Sequence, residues 1–358
     1  MAKIVSIVGA RPQFIKAAPV SHALRAARHT EVLVHTGQHY DANMSKIFFD
    51  ELDLQRPPYN LGIGSGMHGA QTGAMLAGIE QALTLERPDW TLIYGDTNST
   101  LAGALAAAKL HIPIAHVEAG LRSFNRRMPE EINRVVADHL SALLLTPSDS
   151  AVNNLAAEGI TRGVHLVGDV MADALAFAAG RGQRRPDVLA RLGLGERGYL
   201  LVTVHRAENT DSPARLRGIL AALSELDGPI IFPVHPRTRK ALEAIGLPSA
   251  KAGCGAGADD LRLIEPLGYL DMISLEQSAR MILTDSGGVQ KEAYWLRVPC
   301  VTLREETEWV ETVAAGWNIL TAADTASIVQ AVRTLNPPPD HPPLYGDGLA
   351  AQRIAALF

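Results

Sequence analysis

Three carboxylates in the first half of the chain, Asp96, Glu118 and Glu130, stand where proton chemistry could be done. Asp96 follows the apolar run Trp90 to Tyr94 and Gly95, and Glu118 directly follows Ile112-Pro113-Ile114-Ala115-His116-Val117. At the mouth of a sheet, partial desolvation can move a carboxyl toward general acid or base work. Asp96 can also be read as a helix cap, whereas Glu118 has no helix to cap. Glu130 lies behind Pro129, in a first turn where the helix dipole favours acids anyway, and forms an i,i+4 pair with Arg134 that a surface salt bridge would explain. His116 reads as a core or supporting histidine.

In the second half, Met281-Ile282-Leu283-Thr284 breaks into Asp285-Ser286-Gly287-Gly288 and resumes as a helical pattern carrying Glu292. A buried strand, two glycines and a helix start bring backbone N–H groups and a positive dipole end to where an anion can approach. Glu292, about one turn further on, can accept hydrogen bonds from a ribose, so the segment suggests a nucleotide diphosphate site. A tight turn capped by Asp285 or Ser286 is the alternative. Arg11 and Lys16, after Gly9-Ala10, can reach an anion or be solvated surface charge; there is no G-x-G-x-x-G and no Walker lysine. His205-Arg206 and His235-Pro236-Arg237 follow further strand patterns without metal-ligand spacing, so no metal is assigned.

These residues need a scaffold of strand ends. Lys3 to Val8, Glu31 to Thr36, Trp90 to Tyr94, Pro113 to Val117 and Ala142 to Thr146 read as strands alternating with helical stretches such as Gly66 to Glu86 and Ser99 to Leu110. The pattern restarts with Tyr199 to Val204, Ile230 to Phe232, Leu261 to Ile264, Met281 to Thr284 and Cys300 to Leu303. Such alternation predicts an α/β protein of two doubly wound parallel-sheet, Rossmann-like domains, with ligands outside the carboxyl ends of the strands. The expected boundaries are 1–180 for the first domain and 187–336 for the second, parted by the polar break from Gly180 to Pro186. A stiff proline-rich linker, Pro337 to Pro343, then leads to a last helix within 344–358, read as Leu349 to Leu357.

With 358 residues, 47% of them hydrophobic and 20% charged, two domains are the natural expectation. The net charge of −5 and the lack of a basic stripe argue against nucleic acid. No run of 18 apolar residues occurs and the start lacks a signal-peptide build, so no membrane span and a cytoplasmic location are expected. Cys254 and Cys300, without metal or disulfide spacing, agree with a reducing compartment.

With these segments placed, the chain resembles the non-hydrolysing UDP-N-acetylglucosamine 2-epimerases. The resemblance runs through Gly9-Ala10-Arg11-Pro12, Gly37-Gln38-His39, Gly95-Asp96-Thr97, His116-Val117-Glu118-Ala119-Gly120, Pro129-Glu130-Glu131 with Asn133-Arg134, Val204-His205-Arg206, Asp285-Ser286-Gly287-Gly288 with Glu292, and Tyr345-Gly346-Asp347-Gly348. It implies a glycosyltransferase B-like fold whose C-terminal helix crosses back to the first domain, with the UDP-sugar in the cleft. The activity implied is epimerisation at C2 without a redox cofactor, by elimination of UDP to 2-acetamidoglucal and readdition. By the same resemblance Asp96, Glu118, Glu130 and His205 are catalytic. Arg11, Lys16 and Arg134 bind near the diphosphate and sugar, Ser286, Gly287 and Gly288 hold phosphate, and Glu292 holds the ribose. A homodimer is expected, and Gln38-His39 correspond to a segment that in some members binds a second, regulatory UDP-N-acetylglucosamine, or form a loop turn.

Two positions depart from the better-known pattern. Trp309, in Thr307-Glu308-Trp309-Val310-Glu311, stands where an arginine is usual, and Gln13 stands where a glutamate is common. Both are expected to shape the hexose end of the cleft, and a related branch acting on UDP-2,3-diacetamido glucuronate shares such variants. UDP-N-acetylglucosamine is the preferred substrate, since no cation near Trp309 apart from Arg304 asks for a uronate. A glycosyltransferase of the same build remains an alternative, although it needs one base where an epimerase needs several groups around one carbon. A noncatalytic sugar-nucleotide sensor is the third reading.

Overall fold

Short runs, mostly apolar and too short for helices, form an all-parallel sheet in each half of the chain. The computed structural model describes residues 1–37, 52–180, 186–246 and 261–358. Two compact units result, 1–177 together with 345–358, and 178–344.

In the first unit, β1 (Lys3–Val8), β2 (Thr30–His35), β3 (Tyr59–Asn60), β4 (Trp90–Tyr94), β5 (Ile114–Val117), β6 (Leu143–Thr146) and β7 (Val164–Leu166) lie in the order β3-β2-β1-β4-β5-β6-β7. The order reverses at β1, which pairs with both β2 and β4. That switch point is where crossovers to opposite faces leave a crevice at the carboxyl ends. Val5, Ile7 and Ile93 bury one sheet face against Met75, Ile79 and Leu83 of the helix His68–Glu86 and small residues of the helix Asn98–Lys109.

The C-terminal segment belongs to this first unit. Gly168 and Gly346, at φ +93° and +109°, let two backbones meet so closely that a Cβ on Gly168 would lie 3.3 Å from the Gly346 Cα. Asp169 donates its N–H to the Tyr345 carbonyl at 2.8 Å. The Asp173 carboxylate then accepts the N–H groups of Ala350 and Ala351, capping the helix Ala350–Ala355, which packs on the helix Arg11–Ala26.

In the second unit, β8 (Leu200–Thr203), β9 (Ile230–Pro233), β10 (Leu261–Ile264), β11 (Met281–Thr284), β12 (Cys300–Thr302) and β13 (Asn318–Leu320) lie in the order β10-β9-β8-β11-β12-β13, with the switch at β8 and β11. Alternate residues of β8 serve opposite faces: Leu200 and Val202 pack with Leu216 and Ile219, Leu201 with Leu275 and Ala279. The proline-rich segment expected as a stiff linker is held by aromatic side chains of the second unit at 340–344. Trp317, Tyr294 and Trp295 donate to the carbonyls of Asp340, Pro342 and Leu344 at 3.1, 2.6 and 3.1 Å, and His341 stacks on Tyr294 with ring centroids 4.2 Å apart. Proline lacks the N–H for a ladder, so aromatic donors take its carbonyls instead.

Candidate active site

The β4–β5 register aligns Tyr94 with Val117, so the loops that begin with Gly95-Asp96 and Glu118 leave the sheet side by side. Glu118 has φ +69°, a left-handed conformation that costs a non-glycine residue roughly 1–3 kcal/mol and is retained where the surroundings enforce it. Its carboxylate forms an ion pair with Lys16 of the helix Arg11–Ala26, and both side chains are nearly buried. Gly95, at φ +60°, completes the floor: a Cβ there would sit 3.3 Å from Glu118 Oε2 and 3.4 Å from Lys16 Nζ. Burial alone would lower the Lys16 pKa, but Glu118, with Asp96 and Asp169, outweighs it and the ammonium is stabilised. Glu118 is therefore not a lone desolvated carboxylate, as the sequence suggests, but one partner of a buried ion pair.

Asp96 does not cap the helix Asn98–Lys109; its carboxylate meets Arg134 at 2.5 Å. Arg134 is buried and also holds Glu131 at 3.1 Å, while Glu131 accepts hydrogen bonds from Ser123 N–H, Ser123 Oγ and Phe124 N–H. Burial lowers the Arg134 pKa, but the carboxylates of Asp96 and Glu131 raise it further. Asn133 donates to the Asp96 carbonyl at 2.9 Å and fixes the loop from below. Glu130 is exposed on the first turn of the same helix, and in place of the surface pair read between Glu130 and Arg134 the buried Arg134 pairs with Glu131 and Asp96. Lys16, Asp96, Glu118 and Arg134 are thus brought together at the strand ends. Arg11 opens the helix that carries Lys16, its side chain outside the described part, and Gln38 and His39 lie outside the described residues.

Gln13 is buried, and its amide is bonded within the first unit. Its Oε1 accepts the N–H groups of Gly9 and Ala10 at 2.8 and 3.1 Å, and its Nε2 donates to the Tyr94 carbonyl and Thr100 Oγ1 at 2.8 and 3.1 Å. All four hydrogen bonds of a buried amide are committed to the β1 and β4 loops, so it supports the switch point rather than the hexose end.

At the second unit's switch point, Thr203 and Thr284 are in register and their hydroxyls meet at 2.6 Å. The next residue, Asp285, is fully buried and accepts the N–H groups of His205 and Arg206 and the Asn209 amide. The half-exposed His205 ring lies against it, Nδ1 3.4 Å from Oδ1. Ser286 caps the helix Gly287–Trp295 by accepting the Val289 N–H, which leaves the first-turn N–H groups of Gly287 and Gly288 as those an anion could meet. A Cβ on Gly287 would lie 3.1 Å from Trp309 Nε1 and crowd that ring, whereas Gly288 has room. Glu292 is buried one turn further on.

The surroundings of Trp309 differ from expectation. Arg304 is buried and paired with Glu308 at 2.9 Å, and Lys291, also buried, places its ammonium 3.8 Å from the Trp309 ring centroid. Burial raises the Glu308 pKa, yet the Arg304 hydrogen bond and charge pull it below the ordinary value. A cation not expected from the sequence therefore stands beside Trp309, although Lys291 lies four residues, about one turn, beyond Gly287. Among the described residues, no group of three or more His, Cys, Asp or Glu side chains could hold a metal ion, and no helix is long and apolar enough to cross a membrane.

The family model for UDP-N-acetylglucosamine 2-epimerase matches residues 22–358. A UDP-N-acetylglucosamine 2-epimerase homolog of Methanococcus maripaludis is 56% identical, with 99% of each chain covered. The UDP-2,3-diacetamido-2,3-dideoxy-D-glucuronate 2-epimerase of Pseudomonas aeruginosa is 50% identical over 99% of this chain and 98% of its own. In structure, the Methanocaldococcus jannaschii UDP-GlcNAc 2-epimerase, solved in complex with UDP-GlcNAc and UDP, superposes with a TM-score of 0.91 at 45% identity, covering 99% of each chain. By sequence over nearly its whole length, and by fold, the chain belongs to the UDP-N-acetylglucosamine 2-epimerase family.

Proposed function

We propose that this chain is an isomerase that interconverts UDP-N-acetylglucosamine and UDP-N-acetylmannosamine. The observation that carries this reading is the pair of adjacent strand-end carboxylates, each against a cation: Glu118 with Lys16, and Asp96 with Arg134. Epimerisation at an unactivated C2 needs more than one acid/base group around one carbon, and a transferase does not. One carboxylate takes the C2 proton, the C–H electrons form the C1=C2 bond, and UDP departs with the C1–O electron pair. Readdition of UDP at C1 then accompanies proton delivery to the opposite face of C2. Asp96, Glu118 and Glu130 supply the acid/base groups. In the first unit Arg11, Lys16 and Arg134 are assigned to the diphosphate and sugar; in the second unit His205 has the same assignment, Ser286, Gly287 and Gly288 are assigned to phosphate, and Glu292 to the ribose. The leaving diphosphate is stabilised by cations and by N–H groups that are in place beforehand.

A second substrate reading has specific support. Lys291 beside Trp309, together with the 50% identical diacetamido glucuronate epimerase, favours UDP-2,3-diacetamido glucuronate in the same elimination chemistry. Incubation of each sugar nucleotide in deuterated water tests both readings. An epimerase places deuterium at C2 of its substrate, and failure with both compounds sinks the function. A homodimer, a cytoplasmic location and a second regulatory UDP-N-acetylglucosamine belong to the same proposal, and a sigmoidal rate curve would support the regulatory site.

A further inference from the structure

Beneath the two carboxylate loops runs a chain of four side chains of alternating charge, none of which the proposed chemistry uses. His116 is fully buried on β5, with Nε2 2.7 Å from the Gly95 carbonyl and Nδ1 2.7 Å from Asp138 Oδ1. The other oxygen of Asp138 accepts the Gly120 N–H at 3.1 Å and Arg122 Nη1 at 2.7 Å. Arg122 then grips Glu158 through Nε and Nη2 at 2.7 and 2.8 Å, and Glu158 is partly exposed. The loop after β5 has little other freedom. Gly120 has φ +82°, a Cβ on it would lie 2.4 Å from the Ala151 carbonyl oxygen, and Asn154 holds its own carbonyl at 3.0 Å.

The hydrogen bonds define the protonation of the ring. A carbonyl oxygen has no proton to give, so Nε2 donates to Gly95. Asp138 is paired with the buried Arg122 guanidinium at 2.7 Å, the partner of a carboxylate. Oδ2 accepts from Gly120 and Arg122 and Oδ1 has Nδ1 as its partner, so in the proposed linkage Nδ1 donates as well and the ring carries both protons. A buried charged pair of this kind is poor evidence for stability, because desolvation offsets much of the attraction; its best-attested use is to specify a geometry.

We propose that His116 and Asp138 are positioning residues for the epimerisation: the ring holds the Gly95 carbonyl, one residue before Asp96, and the carboxylate holds the Gly120 N–H, two residues after Glu118. One ion pair thereby fixes the spacing of the two loops that carry the acid/base groups. Neither residue touches substrate. The pair acts through the backbone, where a displacement of about 1 Å costs on the order of a hundredfold in rate. This inference rests on the epimerase reading.

The test compares the parent protein with His116→Phe, Asp138→Asn and the double variant, on whichever of the two sugar nucleotides the parent turns over. The expected result is a folded His116→Phe protein whose kcat falls by roughly a hundredfold, with UDP affinity near that of the parent. The double variant is expected to be no slower than the worse single one, because both break one linkage. Native kcat in folded His116→Phe, or fully additive losses, overturns the proposal. Should His116→Phe fail to fold, Asp138→Asn decides on the same criterion. An activity-independent reading comes from nitrogen-15-labelled histidine at neutral pH: both His116 ring nitrogens should carry a proton, and an unprotonated one overturns the charged pair. A parent inactive on both sugars defeats the function reading instead, leaving the ring-nitrogen measurement to decide this one.

Discussion

The carboxylate of Asp285 receives the backbone N–H of His205 at 3.0 Å, from the neighbouring strand end and 80 residues away in sequence. It also takes the Arg206 N–H and the Asn209 amide, so a buried anion fastens the histidine loop to the start of the helix Gly287–Trp295. Asp285→Asn should leave an amide NH₂ facing these donors. The loss expected is about 3 kcal/mol, the scale of broken charge-assisted bonds in a buried site. Urea unfolding checks this, and an unchanged midpoint would show that Asp285 does not hold the loop.

Turnover should depend on the first unit's carboxylates one at a time. Asp96→Asn, Glu118→Gln and Glu130→Gln are each expected to lower kcat by about a hundredfold, the usual scale for a lost acid or base, while UDP affinity holds. Glu118→Gln should also be less stable, since it strands the nearly buried Lys16 ammonium. Near-native turnover in any of the three removes that residue from the acid/base set.

UDP binding should respond to the second unit. Glu292→Ala is expected to weaken UDP by about 1 to 3 kcal/mol, the range for a lost hydrogen bond in a buried site. Calorimetric titration measures it directly, and unchanged affinity would refute the ribose role.

Gln13 offers a test that separates support from substrate contact. In Gln13→Glu one carboxylate oxygen would replace the donor to the Tyr94 carbonyl, putting two acceptors face to face in a buried site. Stability should drop by about 1–3 kcal/mol, with the ratio of turnover on the two candidate sugars unchanged. A shifted ratio at native stability would return Gln13 to the hexose end.

Acid should weaken the fold through the charged chain under the site. Glu158 is depressed chiefly by its Arg122 hydrogen bond, and Asp138 is depressed because His116 and Arg122 outweigh its burial. Groups whose folded pKa lies below the unfolded one stabilise fully above the unfolded value. Their contribution is therefore complete above the ordinary 4.5 and 3.8 of Glu and Asp and is lost as pH falls through the depressed values. Asp173, raised by burial, works the other way and costs stability as pH rises above 3.8. Urea midpoints from pH 6 to about 3 should fall more steeply in the parent than in Asp138→Asn; parallel curves would contradict the assignment.

The sequence by itself determined the two parallel-sheet halves, because a strand buried on both faces must be a continuous apolar run. Trp90–Tyr94 and Met281–Thr284 fall where their runs predict. It did not reveal β3, β7 or β13, which are two or three residues long and lie at sheet edges or next to them, where pairing rather than composition makes the strand. Strand ends were legible too, and with them Asp96, Glu118 and His205. What only the tertiary structure decided was who meets whom. Glu130 and Glu131 are adjacent acids in one first turn, and packing alone buries the second against Arg134 and leaves the first exposed. His116 and Asp138 are 22 residues apart and Lys16 and Glu118 are 102 apart. Hydrophobic periodicity is a local property of the chain, whereas these contacts depend on β1 lying beside β4 and β4 beside β5, an order set by how the whole sheet closes its crossovers.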